Sequence, residues 1–266
     1  MRKANELKRI AKERMFTKYG ALAGGTAILG ALYFIIVMAL VFAYSMQLLT
    51  SGALNSVEAM EEYIMNMNSS YTSTLIIQGI AVLVGALMST VTVALQYMCL
   101  NTARMKEVKL SDLLFVVKNN PDKVIVIFLI QNLLSFLFAL PANILAMSSE
   151  SYLNTLTYAI LYLVFMIISY AADIIVAVLF SQAMFVYLDN PQENVFVCIQ
   201  TSAKVMKKHF WRYVCIVLSF IPLNILAVFT MCIAYIYVLP YQYTVMSLFY
   251  MELKGELGSV IDVTVQ

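Results

Sequence analysis

Charged residues are absent from five long stretches of the chain: Ala21–Leu49, Thr74–Leu100, Val124–Met147, Thr155–Leu188, which only Asp173 interrupts, and Tyr213–Met251. Crossing the roughly 30 Å of bilayer hydrocarbon takes about 20 helical residues, so each of the first four suits one crossing. The fifth, a single helix of 39 residues, would run on the order of 60 Å at about 1.5 Å per residue. It therefore reads as two short crossings with a turn near Ala227–Cys232, where Phe229-Thr230-Met231 parts a run containing Pro222 from one ending at Tyr250. The pattern predicts an all-α, six-helix polytopic transmembrane bundle forming one membrane domain. Its crossings fall near 21–49, 74–100, 124–147, 155–188, 213–228 and 232–251, preceded by a basic amphipathic helix over 1–20 and followed by a tail over 252–266.

Composition agrees. The chain is 62% apolar and 12% charged with a mean hydropathy of +0.84, against roughly 45–50% apolar and 25% charged in soluble domains. A water-soluble globule is excluded. The net charge of +2 points to no nucleic-acid partner, and placement says more than the sum. With the N-terminus inside and six crossings, all 17 Lys and Arg fall on the cytoplasmic side, as the positive-inside rule requires. The opposite loops, 50–73 and 148–154, carry only Glu58, Glu61, Glu62 and Glu150. Both termini are thus expected in the cytoplasm, and the first crossing reads as retained rather than as a cleaved signal.

An amphipathic segment precedes every second crossing. Leu7, Ile10, Ala11 and Met15 share one helical face, with Lys8, Arg9, Lys12 and Glu13 on the other. Leu110, Leu113, Leu114 and Val117 recur at helical spacing behind a possible Ser111 cap and stop at Asn119-Asn120-Pro121. Asn190, Pro191 and Glu193 have capping-box spacing ahead of Phe196, Ile199, Ala203 and Met206. This arrangement admits three helix-plus-hairpin units. The segments are expected to lie on the bilayer with their Lys and Arg against anionic lipids; the alternative is docking of a membrane or cytoplasmic protein partner.

Enzyme chemistry is scarce. The single histidine, His209, excludes H-E-x-x-H zinc sites and has no nucleophile elbow nearby, and Gly24-Gly25 lacks the P-loop lysine. No catalytic residue, metal site or cofactor is expected, and Cys99, Cys198, Cys215 and Cys232 read as buried free thiols. Gly20 with Gly24, and Ala81 with Gly85 and Ser89, mark faces where helices can approach closely. Asp173 is the exception. A charged carboxylate in mid-span costs about 3 kcal/mol or more to insert, so it must be neutral, paired or hydrated. No Lys or Arg lies at its depth; the polar candidates are Gln78, Gln131, Asn132, Asn224 and tyrosine hydroxyls. It reads either as a carboxyl hydrogen-bonded between helices or as the proton or cation site of a transporter.

The C-terminal third carries a resemblance. Phe185-Val186-Tyr187-Leu188-Asp189-Asn190-Pro191, the segment Ser202 to Arg212 containing Met206, His209 and Trp211, Leu218-Ser219-Phe220, and Leu239-Pro240-Tyr241 with Phe249-Tyr250 together resemble an uncharacterised family of bacterial polytopic membrane proteins. The sequence departs from that family pattern at Lys208, where a glycine usually precedes the histidine. The family is also similar to the membrane portion of some glycerophosphodiester phosphodiesterases, whose catalytic domain is absent here. The resemblance implies a bacterial plasma-membrane location and gives Asp189, Asn190, Pro191, His209, Trp211, Pro240, Tyr241, Phe249 and Tyr250 as motif residues without a role. Two function classes follow: a non-enzymatic accessory or scaffold protein, which the lack of chemistry favours, and a small transporter or channel using Asp173.

Overall fold

The computed structural model describes residues 4–51, 56–58, 61, 71–147 and 155–257. These residues are helical, with no strand among them. The helices are α1 (Ala4–Phe16), α2 (Tyr19–Thr50), α3 (Tyr71–Ala103), α4 (Phe115–Lys118, after a 3₁₀ turn at Leu110–Leu114), α5 (Pro121–Met147), α6 (Thr155–Phe180), α7 (Ala183–Asp189), α8 (Val195–Leu218), α9 (Ile221–Phe229) and α10 (Tyr235–Leu253). Five helical stretches are long and apolar enough to cross a membrane: Tyr19–Thr50, Gly79–Ala103, Pro121–Leu145, Thr157–Asp189 and Val195–Phe229.

The sixth expected crossing is not among them. Its residues form α10, which holds Tyr235, Tyr237, Pro240, Tyr241, Gln242 and Tyr243 in its first half and would expose too much polarity to lipid. The fold surrounds it instead: Val238, Tyr241, Thr244, Val245, Leu248, Phe249 and Met251 are buried, against α1, α2 and α3. The turn ahead of α10 does fall near its expected place. Met231 and Cys232 take positive φ, at 51° and 67°, and reverse the chain so that α9 and α10 lie side by side, with the Gln242 amide donating to Asn224 Oδ1 at 2.7 Å.

The three amphipathic segments differ from one another. In α1 the predicted face of Leu7, Ile10, Ala11 and Met15 is buried, but in protein: α1 packs along α10 and α3, and Arg14 donates to the Ala103 carbonyl. The second segment is a short 3₁₀ turn with Lys109, not Ser111, at its N-cap. It leaves Leu110, Leu114 and Val117 exposed and buries Val116. The third is capped by Asn194, whose Oδ1 accepts from the Phe196 N–H at 3.0 Å, because Asn190-Pro191 is spent on the turn that ends α7. Its buried face is Cys198, Ser202 and Met206, so Phe196 points outward. It also runs into the next crossing as one helix, kinked at His209 (φ −124°, ψ 17°). Of the cysteines, Cys99 and Cys198 are buried and Cys215 and Cys232 are exposed.

Small residues set the helix approaches, though not all those expected. A Cβ on Gly25 would lie 3.2 Å from Met98 Sδ, one on Gly24 3.0 Å from Leu110, and one on Gly85 2.9 Å from the Phe128 ring, while Gly20 meets nothing. Gly85 therefore leaves the space on α3 that the Phe128 ring of α5 fills. Gly85→Leu should lower stability by about 1–3 kcal/mol through overpacking, read as a fall in the detergent melting temperature. Gly30→Leu, at a site with open space around it, should leave the melting curve where it was.

Candidate functional site

The α3–α5 and α5–α6 contacts leave a groove of about 850 Å³ between the three helices. Its α5 wall carries Asn132, Ser135, Ala139 and Asn143, spaced three, four and four apart and so on one helical stripe. Gly79, Ala81 and Val82 of α3 face them, and Asp173 of α6 closes the third side. Leu83, Leu129, Leu133 and Phe136 also line the groove and are exposed, so it opens toward the bilayer. Ser169, one turn before Asp173, donates to the Phe138 carbonyl at 3.0 Å and fixes α6 against α5.

Asp173 Oδ1 is buried and has no hydrogen-bond partner among the described residues. Of the residues expected near it, Asn132 shares the groove; its side-chain N–H donates back to Phe128 at 2.8 Å. Gln131 does not line the groove, Asn224 is held by Gln242 in the α9–α10 pair, and the side chain of Gln78 lies outside the described residues. Ser135 and Asn143 went unnoticed, although their spacing from Asn132 was the signal that could have found them. A second groove of about 570 Å³, between α2 and α3, is lined by Tyr33, Val37, Leu40, Ile80 and other largely apolar residues. The carboxylate sets the first groove apart.

Of the motif residues, Asp189, Asn190, Pro191 and Tyr250 gather elsewhere, around the end of α7, and the others lie apart from them. Asp189, with 8% of its side chain exposed, binds Arg104 at 2.7 Å and Lys254 at 2.6 Å and accepts from the Tyr250 hydroxyl at 2.7 Å. Glu256 bridges the same two cations, at 2.8 Å from Arg104 and 2.9 Å from Lys254. Burial alone would lower the Lys254 pKa, but the carboxylates of Asp189 and Glu256 outweigh it and hold it raised. Burial likewise opposes ionisation of Glu256, and Lys254 and Arg104 reverse that to hold its carboxyl below the usual range. Pro191 offers its carbonyl to Lys123 at 2.8 Å, and Asn190 edges a cavity of about 220 Å³. Pro240 receives the Cys99 thiol at 3.7 Å. Tyr241 packs edge-on against Phe220 at 5.4 Å, and Phe249 lies under the Arg212 guanidinium at 5.3 Å, with Arg212 also paired to Glu252. His209 sits at the α8 kink, and Trp211 is 77% exposed. These are contacts that hold helices together. Among the described residues no His, Cys, Asp and Glu group could hold a metal ion.

A family model described as a protein of unknown function (DUF975) matches residues 1–256. No curated protein and no solved structure matches the chain, and neither comparison supports the likeness to glycerophosphodiester phosphodiesterases.

Removing one partner of a fully buried ion pair costs about 3–5 kcal/mol. Because Glu256 still pairs with Arg104 and with the partly exposed Lys254, Asp189→Asn should lower the detergent melting temperature by less than that cost implies. Glu13→Gln, which breaks a pair at 4.0 Å between groups 73% and 68% exposed, should not shift it. Because the folded pKa of Glu256 is depressed, its contribution is present above the unfolded value of about 4.3 and is lost as pH falls through the folded value. Melting followed from pH 6 to pH 3 should therefore show a smaller acid loss in Glu256→Gln than in the native protein.

Proposed function

The chain belongs to the DUF975 family, and from its geometry we propose a small, non-enzymatic, multi-pass transporter of the bacterial plasma membrane that takes its solute into the groove at Asp173. The observation that carries this is a buried carboxylate oxygen without a partner among the described residues, beside about 850 Å³ of open space. A structural carboxylate in a closed bundle would be hydrogen-bonded, since leaving such a group unpaired costs roughly 1–3 kcal/mol and more when it is charged. An accessory or scaffold protein has no use for that expense. An intramembrane carboxylate facing a cavity is the usual mark of an ion or substrate path.

The basic residues support an orientation with both termini in the cytoplasm: α10, shielded by protein, returns the chain so that Lys254 reaches the Asp189 that Arg104 also binds, and Arg14 of α1 meets the Ala103 carbonyl at that same end. Lys106, Lys109, Lys118, Lys204, Lys207 and Lys208 are exposed, and the exposed Leu110, Leu114 and Val117 lie between three of them. That pairing supports contact with anionic lipid at the inner leaflet.

Two measurements test the proposal. A transporter must present its site to water at one stage of its cycle even where the groove also opens toward lipid; with the four native cysteines replaced by alanine, Asp173→Cys in sealed vesicles should therefore react with a charged, membrane-impermeant thiol reagent, whereas Ile167→Cys, on an exposed face of the same helix, should not. Absence of labelling at position 173 would overturn the transporter reading. A reporter enzyme fused after Gln266 should be active only in its cytoplasmic form; activity only outside the cell would overturn the orientation.

A further inference from the structure

Resting on the transporter reading, we infer that the groove at Asp173 binds lipophilic organic monocations that enter sideways from the bilayer. None of the 17 Lys and Arg lies within any of the long apolar stretches, and none lines the groove, so the described residues supply no neighbouring cation to Asp173 when it is ionised. A compensating charge must come from outside. An anion would be repelled, and a neutral lipid would leave the carboxylate unanswered.

Inorganic cations fit poorly. Calcium takes six to eight oxygen ligands, and magnesium keeps several of its waters. Here one carboxylate, two amides and a serine are spread along walls that are otherwise Ala, Val, Leu and Phe. Those walls suit hydrocarbon. The opening lies between exposed Leu83, Leu129, Leu133 and Phe136, side chains that suit contact with acyl chains rather than with water. Such a wall admits an organic ammonium or phosphonium from within the lipid and disfavours passage of a hydrated ion. Phe136 adds an aromatic face on which a cation can rest. Size agrees too: about 850 Å³ is in the range of pockets that enclose drug-sized ligands. The neighbouring groove between α2 and α3 has the same apolar walls but no carboxylate, and serves as the internal contrast.

The experiment uses the full chain in phosphatidylcholine nanodiscs with radiolabelled tetraphenylphosphonium as the probe, empty nanodiscs being subtracted. Saturable binding is expected, weakened at least tenfold in Asp173→Asn at an unchanged melting temperature and partly kept in Asp173→Glu. Tetraphenylborate, the anion of nearly the same shape, should not compete. Binding that is absent, equal in Asp173→Asn, or displaced by tetraphenylborate would overturn the inference. The transporter reading fails separately: if the protein binds the probe but reconstituted vesicles do not accumulate it, the site stands as a receptor for such cations and transport falls. If Asp173→Cys is labelled from water yet the probe does not bind, the lipophilic-cation inference falls and the transporter reading survives.

Discussion

A carboxylate with 8% of its side chain exposed, Asp189, receives hydrogen bonds from two cations and a phenol drawn from two distant parts of the chain: Arg104 just after α3, and Tyr250 and Lys254 at the end of α10. Removed from most of the surrounding water, such a group is tolerable only when its lone pairs are filled. The requirement runs both ways. It fixes where α7 ends, since Asn190-Pro191 turns the chain away immediately afterwards, and it fixes how far α10 reaches, because Tyr250 and Lys254 must arrive on the same side of one oxygen. Glu256, bridging the two cations, leaves the cluster with matched charge rather than excess. Around this point α3, α7, α8 and α10 can keep constant relations while the opposite half of the bundle opens into a groove.

That division separates the chain's two kinds of polar residue. Near the basic end several polar side chains have named partners: Lys123 on the Pro191 carbonyl, Tyr187 on the Asn119 carbonyl, Arg212 on Glu252. Toward the middle of the long helices, Asp173 does not have one among the described residues.

The membrane class and the first four crossings were legible because lipid imposes a crude filter: a run without charges, long enough to span, is visible letter by letter. The turn at Met231-Cys232 was legible for the same reason. The burial of α10 was not, because shielding by other protein and shielding by lipid write similar apolar patterns, and only the tyrosines and Gln242 hinted at the former. The role of Asp189 could not be read either. Its partner Arg104 lies 85 positions away, and a D-N-P turn at a helix end looks the same with or without a salt bridge. The face of α8 was misjudged by one position, since Phe196 sits as well on the apolar stripe as Cys198 does; packing against α6 and α7, not periodicity, decides between them. At the groove, Asp173 announced itself as a charge out of place, while Ser135 and Asn143 passed as ordinary helix polarity.

The pairing of α10 with α1 sets an order of events in biogenesis. The Tyr241 hydroxyl reaches the backbone of Lys8, 233 residues earlier, so a helix made late covers one made much earlier. Until then Leu7, Ala11 and Met15 have only α2 and α3 to pack against, and their cover is incomplete. Completion of this part of the fold thereby waits for α10. A chain cut short before Tyr235 lacks both the α10 cover for α1 and the phenol and ammonium that hold Asp189, and would leave both α1 and α7 unlatched.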